Sequence, residues 1–153
     1  MNRPRVGISS CLLGDEVRYD GGHKRHAFLA DVLAPHVEWV PVCPEVELGM
    51  GVPREPLRLL RVDNDTRMIG AVSGIDHTDA MRAYAEQRVR ALEQMDLRGY
   101  VLKSKSPSCG MDEGIFATVL RARLPDLPVE DESRLNDPVV REHFIKRVLG
   151  HHV

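Results

Sequence analysis

Short apolar runs alternate with helical stripes along the 153 residues, and this alternation sets the expected elements. Residues 6–10 read as a buried strand, followed by a turn-rich stretch over 12–24 that contains Gly14, Asp20, Gly21 and Gly22. Phe28, Leu29, Val32 and Leu33 recur at helical spacing. Pro35 is expected to stop that helix before a second apolar run at 37–42. Runs at 57–62 and 68–72 flank the polar turn sequence Asp63-Asn64-Asp65-Thr66, which predicts a hairpin. Asp76 or Thr78 should cap a long helix whose stripe of Met81, Tyr84, Ala85, Val89, Leu92 and Met95 continues to Leu97, with Gly99 ending it. A strand is expected at 100–103, then a loop that Pro107 and Gly110 keep irregular. Ile115, Phe116, Val119 and Leu120 mark the next helix, and 127–130 a short extended piece. Asp137 ahead of Pro138 starts the last helix, with Val140, Phe144, Ile145 and Val148 on its buried face.

Strands separated by helices predict an α/β fold: an open, mostly parallel, Rossmann-like sheet with helices on both faces, plus a β-hairpin insertion. The length fits a single domain over 1–153. In open sheets of this kind ligands gather outside the carboxyl ends of the strands. Composition narrows the partners. With 42% apolar residues, 29% charged residues and a formal charge of -2, the chain reads as globular, without the basic excess of a strong nucleic-acid binder. No apolar run reaches the roughly 18 to 20 residues of a membrane span, and the opening residues lack a secretory signal, so the expected address is the cytoplasm. The sequence leaves room for a homo-oligomer.

Cys11, Cys43 and Cys109 each fall where a predicted strand ends, in Ser-Ser-Cys-Leu-Leu-Gly, Val-Cys-Pro-Glu and Pro-Ser-Cys-Gly. An odd count with no Cys-x-x-Cys pair excludes a closed disulfide scaffold, a zinc ribbon and a thioredoxin-type motif. Three readings stay open at this point: a shared metal or cluster, a single reactive thiol, and ordinary packing. Soft thiolates favour zinc or an iron-sulfur cluster, and three cysteines on a 4Fe-4S cube leave one iron open to an outside ligand. The histidines at 23, 26, 36, 77 and 143 have no ligand-like spacing, and His151 and His152 are set aside as a tail. Rival functions are a noncatalytic nucleotide- or partner-binding α/β module and a cysteine redox sensor.

The strings SSCLLG, VRYDGGHK, PVCPE and LKSKSPSCG resemble, in order and spacing, a family of small bacterial iron-sulfur domains whose characterised members are thiouracil desulfidases. The likeness covers nearly the whole chain, and the segment after Glu45 and the tail at 127–138 are similar to a subgroup often followed by a second domain. The resemblance implies a 4Fe-4S cluster held by Cys11, Cys43 and Cys109, with the fourth iron free for substrate. Aerobic purification would be expected to strip it. Glu45 and Ser106 match the family's catalytic glutamate and serine. The implied activity is non-redox hydrolysis of the C=S bond of a thiolated pyrimidine, as a free nucleobase or a nucleoside, with release of sulfide. Glu45 would take a proton from water, and Ser106 would bond substrate or relay a proton. Ser10, Tyr19, Asp20 and Ser108 are expected around the substrate, with Lys103 and Lys105 drawing an anionic ligand. Read without the resemblance, Glu45 caps a turn after Pro44, Ser106 and Ser108 bond nearby backbone, and the Gly21-Gly22 turn is surface.

Overall fold

A computed structural model describes residues 3–150; His151 and His152 lie outside the described residues. Four parallel strands form the main sheet: β1 (Arg5–Ser9), β2 (Glu38–Val42), β5 (Gly99–Leu102) and β6 (Val129–Asp131), in the order β2-β1-β5-β6. Between β2 and β5 the chain forms an antiparallel hairpin of β3 (Leu57–Val62) and β4 (Asp65–Gly70). The helices are α1 (Pro44–Glu47), α2 (Thr78–Glu93), α3 (Ile115–Arg123) and α4 (Pro138–Leu149). The fold is thus the expected α/β sheet with a hairpin insertion.

Strand alternation divides the core into two layers. Val6, Ile8 and Val101 face Leu29, Leu33, Phe144, Ile145 and Val148 on one side. Val40, Val42, Tyr100 and Leu102 face α2 and α3 through Ala85, Val89, Leu92, Phe116 and Leu120 on the other. Gly7 lies in β1, where a Cβ would sit 2.2 Å from the Tyr100 ring, so the central strand needs glycine there to admit the aromatic beneath it. Pro41 is tolerated because β2 is the sheet edge and needs no N–H on its outer side.

Several boundaries differ from the sequence reading. Phe28–Leu33 is helical but wound as a π-helix, and the chain makes another turn over Ala34–His36, with Pro35 in its first positions rather than ending the helix. The hairpin turn is only Asp63-Asn64, both at positive φ (50° and 65°). Asp65 and Thr66 therefore belong to β4, where they pair with Val62 and Arg61 of β3. Val72 lies past the strand and is 85% exposed. Helix α2 ends at Glu93, and Gly99 opens β5 instead of closing the helix. Asp96, at φ 56°, turns the chain between them. At the other end of α2, His77 is the capping position; Asp76 Oδ1 accepts the Thr78 N–H at 2.9 Å, while Thr78 Oγ1 accepts the Met68 N–H at 2.7 Å and docks the hairpin. Asp137 caps α4 as expected, accepting the Val139 N–H at 2.8 Å.

Candidate active site

The chain leaves β1 toward β2 on one side and later returns to place β5 on the other, so the crevice between the β1 and β5 ends is the switch point where such sheets bind ligands. Each cysteine is carried by a loop fixed at that edge. Cys11 sits in the tight turn Ser10–Leu13, at the exit of β1 as predicted, although the strand ends one residue early, at Ser9. Lys24 and His26 donate their N–H groups to the Cys11 and Leu12 carbonyls at 3.0 and 2.8 Å, folding the long loop back over it. Cys43 precedes α1, whose first residue is Pro44. Glu47 Oε2 accepts the Cys43 N–H at 3.2 Å, while its Oε1 accepts Tyr84 Oη and Arg88 Nε of α2, both at 2.8 Å. Glu47 therefore pins the Cys43 turn to α2. Cys109 is held by Ser106, whose Oγ accepts the Ser108 and Cys109 N–H groups at 3.2 and 3.0 Å. Gly114 packs the start of α3 onto the same loop; a Cβ there would lie 2.6 Å from backbone atoms of Ser108 and Gly110.

All three cysteines line one cavity of about 220 Å³. Its size suits a small molecule rather than a macromolecule, being below the about 300–1,000 Å³ typical of pockets for drug-sized ligands. A noncatalytic module with spectator cysteines predicts thiols in separate regions, and the shared cavity runs against it. Among the described residues, no three His, Cys, Asp or Glu side chains converge as a single chelated ion would require. At a Zn–S distance of about 2.3 Å, thiolates around one zinc would lie about 4 Å apart. Three thiols that share a cavity without meeting at one point suit a larger group.

Burial dominates the thiol chemistry. It pushes Cys11 up to about 11, with Lys103 pulling the other way and the nearby Cys43 adding to the rise. Burial likewise pushes Cys109 up to about 12 against hydrogen bonds from Ser9 and Ser108, and raises Cys43 against Arg54. Without a bound cation the three groups are neutral thiols at pH 7. A redox sensor needs a thiol of lowered pKa, and all three move in the opposite direction. Soft metal ions displace such protons on binding.

Glu45 lies among these thiols, 8% exposed. Arg54 Nε donates to its Oε1 at 2.9 Å, and Ser108 Oγ donates to its Oε2 at 3.0 Å. With the Ser108 hydrogen committed to the carboxylate, the 3.2 Å Ser106–Ser108 contact has Ser106 as donor. Ser106 thus lines the cavity while its oxygen is occupied by loop amides. Ser10 also lines it, and its buried Oγ has no partner among the described residues. Tyr19 stands at the mouth, 38% exposed, under the Arg18 guanidinium at 5.6 Å. Asp20, expected beside the substrate, is not among the lining residues; its Oδ1 accepts the Gly22 N–H at 2.8 Å in a local turn. Lys103 and Lys105 both line the cavity, Lys103 paired to Glu132 at 3.3 Å. Sequence reasoning missed Arg54 and Glu47. The only signal was weak: one arginine in Val-Pro-Arg-Glu-Pro, and a second glutamate in Cys-Pro-Glu-Val-Glu.

Comparisons with known proteins place the chain in one family. The family model described as 2-thiouracil desulfurase matches residues 6–132. The uncharacterized protein YbbK of Bacillus subtilis (strain 168) is 33% identical over 108 residues, covering 67% of this chain and 71% of that protein. A solved structure of the [4Fe-4S]-dependent thiouracil desulfidase TudS superposes with a TM-score of 0.74 at 28% identity, covering 91% of this chain and 96% of that one. The chain belongs to the 2-thiouracil desulfurase family.

Proposed function

We propose that the protein is a 4Fe-4S-dependent desulfidase that exchanges the sulfur of a thiolated pyrimidine for oxygen from water. The observation that carries this reading is the convergence of Cys11, Cys43 and Cys109 with Glu45 on one small cavity. The donor set fits the cluster. Three thiols arrive from three separate loops, all buried or half-buried, with the Ser9 hydroxyl at the Cys109 sulfur to stabilise a thiolate. Bound there by three cysteines, the cluster would supply an iron without a protein ligand, a Lewis acid with affinity for substrate sulfur.

The remaining work falls to this chain. Ser10 Oγ, buried and unpartnered, is the free hydrogen-bonding group for a polar edge of the ring. Tyr19 covers the mouth. Glu45 has one oxygen on Arg54 and one on Ser108, and each carboxylate oxygen retains a lone pair for a water. It takes the proton as that water attacks the thiocarbonyl carbon. Ser106 donates to Ser108, which donates to Glu45, so the serine pair is a path along which a proton can reach the carboxylate. The sum is C=S plus water giving C=O plus hydrogen sulfide, with no net electrons and no flavin or nicotinamide. A pyrimidine nucleobase or nucleoside is the partner, acted on in the cytoplasm. Among the described residues no helix is long and apolar enough to cross a membrane.

The test is sulfide release from 2-thiouracil and 4-thiouracil by the anaerobically reconstituted chain. Stoichiometric sulfide and uracil are expected; a loaded cluster with no turnover of either thiopyrimidine would refute the proposed reaction.

A further inference from the structure

We propose that Arg54 is a positioning residue for Glu45, and that it acts by tying the carboxylate to the loops on either side of the cavity. The inference rests on the reading of Glu45 as the group that handles water. Arg54 follows the cis Val52–Pro53 peptide and spends its donors on helix α1, on its own loop and on the loop after β1. Its Nε holds Glu45 Oε1 at 2.9 Å, its Nη1 donates to the Gly51 carbonyl at 2.9 Å, and its backbone N–H donates to the Tyr19 carbonyl at 2.8 Å. The two side chains are 7% and 11% exposed, so water neither screens the pair nor replaces it.

Glu45 in turn accepts Ser108, one residue from Cys109, at 3.0 Å. The loops after β1, β2 and β5 are therefore joined through this pair: Tyr19 through the Arg54 backbone, α1 through Glu45, and the Cys109 loop through Ser108. A carboxylate on an unbranched side chain has three rotatable torsions. Fixing both of its oxygens leaves it one orientation toward the cavity. Arg is needed because Nε and Nη1 point along separate directions of a planar fork, whereas a lysine ammonium is a single point on a flexible stem. A residue acting in this way changes turnover more than substrate affinity.

The experiment uses the full chain, reconstituted without oxygen, as wild type, Arg54→Lys, Arg54→Gln, Glu45→Gln and the double variant Glu45→Gln/Arg54→Gln. Iron and sulfide per chain, kcat and KM for 2-thiouracil, and melting midpoints are read for each. Arg54→Gln should lose about 10- to 100-fold in kcat, the range for outer-shell partners, with KM within about twofold and wild-type iron content. Arg54→Lys should recover part of the loss. In the Glu45→Gln background the Arg54→Gln exchange should cost no further turnover, because the carboxylate it orients is gone. Wild-type kcat in Arg54→Gln, or losses that multiply in the double variant, would overturn the inference, as would iron loss in both Arg54 variants, which marks a structural role. The melting midpoints give the same cycle without turnover, and additive shifts there overturn the pairing. Wild type that carries a cluster but releases no sulfide would instead refute the proposed reaction.

Discussion

Two clusters of arginine and carboxylate sit on opposite sides of one boundary, burial, and they do different things. In the cavity, Arg54 and Glu45 are almost wholly enclosed, and the carboxylate's partners Arg54 and Ser108 each anchor a loop. On the hairpin, Arg67 reaches Asp65, Asp76 and Asp79, and Arg82 reaches Asp65, with side chains 23% to 85% exposed. The hairpin network has more ion pairs. Solvent screening leaves each of them weak, so number does not translate into stability or position. The enclosed pair has fewer contacts but little solvent to screen them, and removing one partner leaves a charge stranded. Equal side-chain chemistry becomes a positioning device in one place and a solubilising edge in the other.

The contrast breaks most sharply at the thiols. Cys11→Ala, Cys43→Ala and Cys109→Ala, purified and reconstituted without oxygen, should each lose most of their iron, with sulfide release at background; an alanine variant that keeps full iron would remove that cysteine from the ligand set. Glu45→Gln should retain the cluster yet turn over about 10²–10⁴-fold more slowly, the usual contribution of a general base, as read by steady-state sulfide release. Gly114→Ala pushes α3 away from the Cys109 loop and should cost about 1–3 kcal/mol in denaturant unfolding, with partial loss of iron. On the exposed side, Arg67→Gln should leave iron content and kcat unchanged and move the melting midpoint by about 2 °C or less.

The smallest effect is one of pH. Hydrogen bonds from Thr78 and Arg67 hold Asp76 down at about 2 from an ordinary 3.8. A depressed carboxylate contributes stability that is whole above 3.8 and fades as the pH falls through about 2. The difference in acid unfolding between wild type and Asp76→Asn should therefore be present at pH 6 and shrink steadily from about pH 4 down through pH 2. A difference undiminished at pH 2 would assign it to packing.

What was legible follows from range. Apolar runs and a proline behind a capping Asp137 are local signals, so β1, β2, β5 and α4 were readable, and so were the three cysteine loops at one sheet edge. The π-winding of Phe28–Leu33 and the four residues of α1 were not, since neither has a period long enough to register. The Glu45–Arg54 pair is close in sequence, but its meaning depends on burial by loops 19 and 108, which no local pattern encodes. By residue type alone Ser106 and Ser108 are alike, and the resemblance marks Ser106 as catalytic and Ser108 as a substrate contact. Only the hydroxyl directions separate the one that holds amides from the one that reaches Glu45.

The central claim is that three thiols close around one iron-sulfur cluster. Its most direct test is anaerobic reconstitution followed by iron, zinc and acid-labile sulfide analysis of the wild-type chain. The account predicts about four irons and four sulfides per chain, as in a cubane. One zinc per chain with no labile sulfide would contradict it.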